Sequence, residues 1–449
     1  MHARKAITGI LVNVCRLVIS LTFIFSGYVK AIDPLGTQYK LQDYLNVVQL
    51  SQYVPDYITL GASVLLGGLE FCLGVFILFA IHRRLMSRLV LLFMAIMTPL
   101  TLWLAVANPI KDCGCFGDAI ILTNWETFYK NVVLLAAAIV LCIRPLMMPR
   151  FISRTNQWIV ITYTIIFILF SSSKSLYTLP PFDFRPYHIG ADIKKGMEIP
   201  EGAKGPEFET TFILEKNGQQ KEFTLENYPD STWTFIDSKT VQISEGYVPP
   251  IHDFFIQTTD GSEDLTDSVL SRRGYTFLLI SPHLEYADDS NFGEIDQIYE
   301  YSQSHGYPFY GLTASTNEGI KHWRDITGAE YPFYLTDETT LKTVIRSNPG
   351  LLLLKDGVVI GKWSHNDLPQ LSYQTDKLEN TEYGEMPQDS VTGKISMILL
   401  WYILPLLLLT FADRTWKFTQ WLKEKEQIPA LWEAEVGRCR GPEIETILG

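Results

Sequence analysis

Cys113 and Cys115, separated by Gly114 alone within Asp112-Cys113-Gly114-Cys115-Phe116-Gly117-Asp118, are the residues of this chain best spaced for chemistry. A Cys-x-Cys disulfide closes a small, strained ring, and strain raises the reduction potential, which favours passing the disulfide to an incoming thiol. Gly114 removes the side chain that would resist so tight a backbone. Lys111 is placed to stabilise a thiolate, while Asp112 and Asp118 oppose it. Three readings stay open: a redox-active pair, a static loop-locking disulfide, and half of a metal site. Two thiolates alone do not complete the usual four-ligand zinc shell, and the loop holds no histidine, so no metal is expected.

Arg16 and Glu70 form a second candidate pair, because each sits inside a long apolar run. A charge within a bilayer costs at least a few kcal/mol, so such groups face a bundle interior and pair. Counted from one membrane face, both lie about 14–15 Å deep at about 1.5 Å per residue. The functional reading is an intramembrane proton or quinone-headgroup site, with a quinone as the cofactor. The competing reading is a structural ion pair that fixes helix register.

The elements that would carry these residues follow from hydropathy. The chain has 449 residues, 47% hydrophobic, and a net charge of −12. Runs long enough to cross a hydrocarbon core of about 30 Å occur at Ile7–Val29, Ile58–Ala80, Leu89–Ala107 and Phe128–Met148. Shorter ones are Trp158–Phe170 and Ile395–Ala412. Six spans are therefore expected, with the lipid bilayer as a partner. A signal peptide is the bland alternative for the first, but its apolar stretch is longer than a typical h-region.

Lys and Arg bias orients them. Arg4 and Lys5 precede span 1, Arg83, Arg84 and Arg88 fill the turn after span 2, and Arg144, Arg150 and Arg154 separate spans 4 and 5. Arg414, Lys417, Lys423 and Lys425 follow span 6. This predicts cytoplasmic termini, with Lys30–Tyr57, Asn108–Thr127 and Ser171–Lys394 on the outer side. Cys113 and Cys115 then face an oxidising compartment where a disulfide persists. Cys15, Cys72 and Cys142 lie within spans as small hydrophobes, and Cys439 is in the tail.

The membrane part resembles the DoxX-like superfamily, in its MauE (methylamine utilisation) branch. The resemblance is carried by Arg16, Phe25-Ser26-Gly27-Tyr28-Val29-Lys30, Asp33-Pro34, Leu69-Glu70, the cysteine heptapeptide and Trp125-Glu126-Thr127-Phe128-Tyr129-Lys130-Asn131, over about residues 7–148. It implies a four-helix bundle. Relatives are tied to maturation of a disulfide-rich methylamine-utilisation subunit and to a thiosulfate:quinone oxidoreductase. Neither substrate transfers from these residues alone.

Ser171–Lys394 has its own order. A proline-stiffened stretch, Thr178–Ile193, leads to short strands at Phe208–Leu214, Lys221–Leu225 and Trp233–Ile236, with Asn217-Gly218 as a hairpin turn. Further on come strand Tyr275–Ile280, a helix at Ser290–Ser304, strand Tyr307–Thr313, a helix near Glu318–Thr327, Pro349, and a hairpin of Leu351–Leu354 with Val358–Trp363. Residues 248–370 thus resemble the thioredoxin fold in its TlpA or peroxiredoxin-like form, with Pro349 where that family has a cis-proline. The departure is decisive: Ser281-Pro282-His283-Leu284 stands where the redox cysteines belong, and no cysteine occurs between Cys142 and Cys439. This domain cannot exchange thiols itself and reads as a binding module. His252, His283, His322 and His365 read as ordinary loop histidines. Phosphate loops, serine elbows, HExxH patterns and nucleic-acid-binding clusters are absent from the sequence.

The expected layout is a DoxX/MauE-like bundle over 1–150, a fifth span in 151–176, a linker with a small β segment in 177–247, the cysteine-less thioredoxin-like domain in 248–370, a linker in 371–394, a sixth span in 395–412 and a cytoplasmic tail in 413–449. Ile428–Gly449 resembles a translated Alu-type repeat, foreign to a bacterial envelope protein, and is given no functional weight. The expected setting is a bacterial inner membrane with the large domain periplasmic. Two functions fit: thiol-disulfide or quinone-linked redox maturation of a periplasmic client protein through Cys113 and Cys115, or a non-enzymatic assembly scaffold with a structural disulfide.

Overall fold

The computed structural model describes the backbone of residues 2–110, 112–203, 207–216, 219–224, 234–244, 246–387 and 391–438, and side chains over 5–110, 112–203, 246–387 and 391–423. Two compact units result: Met1–Phe182 with Gln388–Gly449, and Asp183–Pro387.

The first unit begins with helices α1 (His2–Ile32), α2 (Pro34–Val47), α3 (Asp56–Leu78), α4 (Arg83–Ala107), α5 (Asn124–Ile143) and α6 (Gln157–Tyr177). A C-terminal run, Val391–Ile398 continuing through a π turn at Leu399–Ile403 into Leu404–Arg438, completes it. Among the described residues, 6 helices are long and apolar enough to cross a membrane: Lys5–Ile32, Asp56–Leu78, Arg83–Ala107, Asn124–Ile143, Arg154–Tyr177 and Val391–Lys423. The last two are longer than hydropathy suggested, because polar flanks continue the helices. Arg83, Arg84 and Arg88 lie in the opening turns of α4 itself, not in the turn before it.

Helices α1 and α3 approach closely where glycines leave room. Gly27 faces the Phe71 backbone, Gly67 faces Ala31 and Gly74 faces Ile24; a Cβ on Gly27 would stand 2.2 Å from Phe71 N. Small residues at such seams let backbones meet and fix register where lipid supplies no hydrophobic drive. Helices α4 and α5 complete a four-helix core with α1 and α3, and α6 packs on α3 and α1. The C-terminal run is tied to α6 by Tyr402 stacked on Phe167 at 4.2 Å. Asp413 accepts from Ser153 N at 2.9 Å and Asn156 Nδ2 at 2.7 Å.

Helix α2 was not expected from hydropathy, being polar on most of its surface. Its start is nonetheless written locally: Asp33 caps it by accepting from Gly36 N at 2.9 Å, and Pro34 sits in its first turn. Gln38 fastens it to α3 through Asp56 O at 3.0 Å and Thr59 Oγ1 at 3.1 Å.

The second unit starts with α7 (Ile193–Met197) and an antiparallel sheet of β1 (Glu207–Lys216), β2 (Gln219–Thr224) and β3 (Thr234–Ser244) in the order β2-β1-β3. The expected Asn217-Gly218 turn lies outside the described residues. Then come α8 (Thr266–Leu270), β4 (Tyr275–Ser281), α9 (Phe292–His305), β5 (Phe309–Thr313), α10 (Asn317–Thr327), β6 (Phe333–Leu335), α11 (Glu338–Val344), β7 (Gly350–Lys355) and β8 (Val358–Ser364). The sheet order is β6-β5-β4-β7-β8, with β5 parallel to β4 and β6, and β7 antiparallel to β4 and β8. Every residue of β4 is buried, as a central strand covered on both faces requires. This separate α/β domain fits a thioredoxin-like arrangement, and the Asn348–Pro349 bond is cis.

Two short elements, β6 and α11, escaped the sequence reading. Residues after 370 were expected to be linker, yet Leu371 and Leu378 sit in the domain core. Before the domain, Lys362 and Asp183 pair at 2.6 Å in its interior, and Asp183 also takes Arg185 at 2.8 Å. The incoming stretch is thereby pinned against β8.

Candidate functional site

The loop between α4 and α5 is closed at its base. Helix α4 ends at Asn108 in the left-handed region, and α5 begins with a capping box in which Thr123 and Glu126 exchange bonds. Asn124 Nδ2 then donates to Asn108 Oδ1 at 2.9 Å and Ile110 O at 2.8 Å, joining the two ends. Within the loop, Gly114 and Gly117 adopt φ of +63° and +53°, which residues with a Cβ rarely do. Gly117 N donates to Gly114 O at 3.0 Å. The resulting turn brings the Cys113 and Cys115 sulfurs to 2.8 Å as two thiols sharing a hydrogen bond.

Beneath the loop lies a buried charged floor. Lys30 Nζ reaches Ser26 Oγ at 2.6 Å, Glu70 Oε2 at 2.8 Å and the Cys115 carbonyl, so its three donors meet three acceptors. The Ser26 hydroxyl has one proton for two acceptors, Glu70 Oε2 and Cys115 O, each at 2.7 Å. Lys30 and Glu70 are both buried, a costly arrangement stable only when paired and fully bonded. From the side, α2 supplies Tyr44, whose Oη donates to Cys113 O at 2.8 Å, and Lys40, which pairs with Asp112 at 3.0 Å. From α5, Lys130 stands 4.1 Å over the Phe116 ring.

These surroundings make the thiols unequal. The hydrogen bond from Cys113 pulls the Cys115 pKa down against burial and Glu70, with Lys130 and Lys30 helping. Cys113 is pushed far up by that same bond and by burial. Cys115 is therefore the thiol disposed to ionise, and nucleophilic attack requires the thiolate. Lys111, expected to do this work, lies outside the described residues; Lys130 and Lys30, from helices, take the role.

Arg16 and Glu70 do not meet. With Gly27 against Phe71 and Gly74 against Ile24, the antiparallel register sets Glu70 beside Ser26 and Lys30. Arg16 instead reaches the carbonyl end of α3, donating to Ile77 O at 3.1 Å and to Leu78 O, and to Pro149 O at 3.0 Å, with Phe151 at 4.5 Å. Equal depth was inferred from run lengths, which miss where the helices actually lock together. Arg16 ties off a helix end, whereas Glu70 belongs to the thiol site.

A cavity of about 30 Å³ adjoins Cys115, Glu70, Ser26, Lys130 and Asn131. That volume holds about one water, far below the roughly 300 Å³ at which small-molecule pockets begin. A quinone ring does not fit it. Among the described residues no group of three or more His, Cys, Asp or Glu is arranged to hold a metal ion.

In the α/β unit, Ser281 Oγ donates to Asn348 Oδ1 at 2.7 Å and Asn348 Nδ2 to His283 O at 2.9 Å beside the cis-proline. Three histidines read as ordinary have carboxylate partners: His252 with Asp253 at 3.0 Å, His283 with Glu338 at 3.0 Å and His365 with Asp288 at 3.5 Å. His365 Nδ1 also lies 2.9 Å from Ser347 Oγ. This Ser-His-Asp row lacks a free nucleophile, because the Ser347 hydroxyl donates to Pro349 O at 2.6 Å.

Comparison with known proteins gives two family matches. Residues 8–144 match the family model described as Methylamine utilisation protein MauE. Residues 208–245 match one described as a domain of unknown function. No curated protein matches the chain. Among solved structures, the solution structure of a Bacteroides thetaiotaomicron protein, named as a candidate protein disulfide isomerase, is 19% identical over 26% of this chain and 77% of that one, with a TM-score of 0.22. A likeness at that level carries no structural argument. The fold and these matches define a multi-pass membrane protein with a separate α/β domain. Its membrane part over residues 8–144, which holds both cysteines, is MauE-like.

Proposed function

We propose that this protein exchanges thiols and disulfides with an extracytoplasmic client through Cys115 and Cys113, in an inner membrane with both termini cytoplasmic. The observation that carries the reading is the geometry of the pair: two sulfurs held at 2.8 Å on a glycine-built loop, with Lys130 and Lys30 placed to favour the Cys115 thiolate. The Cys115 thiolate attacks a client disulfide, forming an S–S bond and releasing one client thiolate, which takes up a proton. The Cys113 thiol loses its proton and attacks Cys115 Sγ, closing the intramolecular disulfide and releasing the second client thiolate. The client gains two electrons and two protons; the pair loses them. The reverse sequence oxidises a client dithiol, and a second dithiol- or disulfide-bearing protein returns the pair to its starting state. No step is routed through a quinone. The cysteine-less α/β domain serves as the client-binding module.

A scaffold reading draws on the same loop being held on several sides, by Tyr44, Lys40, Ser26 and Lys30. Cys113→Ser separates the two. Exchange predicts a mixed disulfide accumulating on Cys115, visible as a reducible high-mass adduct in non-reducing gels. Full function of that variant with no adduct would sink the redox reading.

A further inference from the structure

At one end of the first unit, a cleft of about 380 Å³ opens between the start of α4 and the end of α5, lined by Arg84, Arg88, Arg144, Cys142 and Leu146. The charge around it is one-sided. From Phe71 to Lys111, and again from Thr127 to Phe182, the sequence contains no acidic residue. Arg83 spends its guanidinium on Leu146 O and Met148 O, which shapes the cleft wall. Arg84, Arg88 and Arg144 are exposed and have no ion pair among the described residues. Asp413, an acid from another helix, is occupied by Ser153 and Asn156.

One of these arginines is also badly placed for the helix itself. The first turn of α4 carries Arg83 and Arg84 and no acid, where the helix dipole favours anions. A topogenic bias toward basic residues explains that arginines occur here. It does not explain their convergence from two helices on one cleft. Below the guanidiniums, Leu92 and Ile96 continue the Arg84–Arg88 face of α4 at intervals of four, and Ile143 and Leu146 lie beside Arg144; all four are exposed. Charge thus caps an apolar strip on the membrane surface of the bundle.

We infer that the cleft is a site for an anionic phospholipid, whose phosphate takes the three guanidiniums while its acyl chains lie along Leu92 and Ile96. Basic pockets between transmembrane helices bind anionic headgroups on these terms. The inference does not rest on the thiol chemistry or on which face is cytoplasmic.

The test uses the full-length chain in neutral detergent, with native mass spectrometry and thermal unfolding against phosphatidylglycerol, phosphatidylcholine and inorganic phosphate. Phosphatidylglycerol is expected to be retained at least tenfold better than phosphatidylcholine and to raise the unfolding midpoint. At about 1 kcal/mol per basic residue near an anionic headgroup, the triple variant Arg84→Gln, Arg88→Gln, Arg144→Gln loses affinity on the order of a hundredfold. The corresponding triple lysine variant keeps most of the preference. If the glutamine variant fails to fold, Arg88→Gln alone decides, with roughly fivefold loss expected. An undiminished preference in either glutamine variant overturns the inference. So does an equal response to inorganic phosphate, which would mark a soluble-anion site.

Discussion

Lys30 and Lys362 are each buried and each paired with one carboxylate, Glu70 at 2.8 Å and Asp183 at 2.6 Å, but they clamp different things. Lys30 spends its third donor on the carbonyl of Cys115, so the membrane pair supports a reactive loop. Lys362 spends its other donors on Tyr187 O at 3.2 Å and Val344 O, so the pair in the α/β unit fastens an incoming stretch to a sheet. One chemistry, an ammonium saturated by a carboxylate and carbonyls, serves reactivity in one unit and connectivity in the other. The units divide labour in a second way. The α/β domain keeps a cis-proline loop and has no thiol of its own, while the bundle keeps the thiols on a loop built by glycines.

The contrast breaks most sharply under single deletions. Glu70→Ala leaves Lys30 buried and unpaired, a loss of about 3–5 kcal/mol that should lower the thermal midpoint in detergent and abolish exchange together. The double variant Lys30→Met, Glu70→Met is expected to recover most stability without recovering exchange. Recovery of both would show that the pair is merely structural. Asp183→Ala should cost a similar or somewhat smaller amount, read as proteolysis near Asp183, while Cys115 alkylation stays unchanged. Altered alkylation in that variant would erase the distinction between the two clamps.

Gly114→Ala forces a Cβ into the left-handed region and should cost about 1–2 kcal/mol, with slower exchange at preserved expression. The smallest effect sharpens the electrostatics. Cys115 alkylation should rise with pH and level off at a lower pH than an ordinary thiol does, because its lowered pKa favours the thiolate. Lys130→Gln should move that inflection upward and Glu70→Gln downward, since the first helps and the second opposes ionisation. Shifts in the same direction would point to general loosening of the loop.

Much of the architecture was legible because hydropathy and register-independent signals carry it. Leu89–Ala107 and its neighbours announced spans, and the run Tyr275–Ile280 announced a central strand. The cysteine loop was legible because Gly114 and Gly117 stand beside unusually spaced thiols. What the sequence hid was pairing across helices. Arg16 and Glu70 looked equally deep, but depth counted along runs knows nothing of the Gly27–Gly67–Gly74 seam that decides partners. Lys30 carries no sequence signal of a buried pair, since a lysine at a span's end ordinarily reaches for water. Helix α2 was invisible to hydropathy, although Asp33-Pro34 was a readable start signal. Leu371 and Leu378 give no core signal in the sequence, because isolated leucines among polar residues show no period.

Helix α2 has one more consequence. Its Lys40 and Tyr44 hold the loop from the same side, four residues apart and so on a single face. The side support of the loop therefore comes from one short helix, which Gln38 in turn fastens to α3.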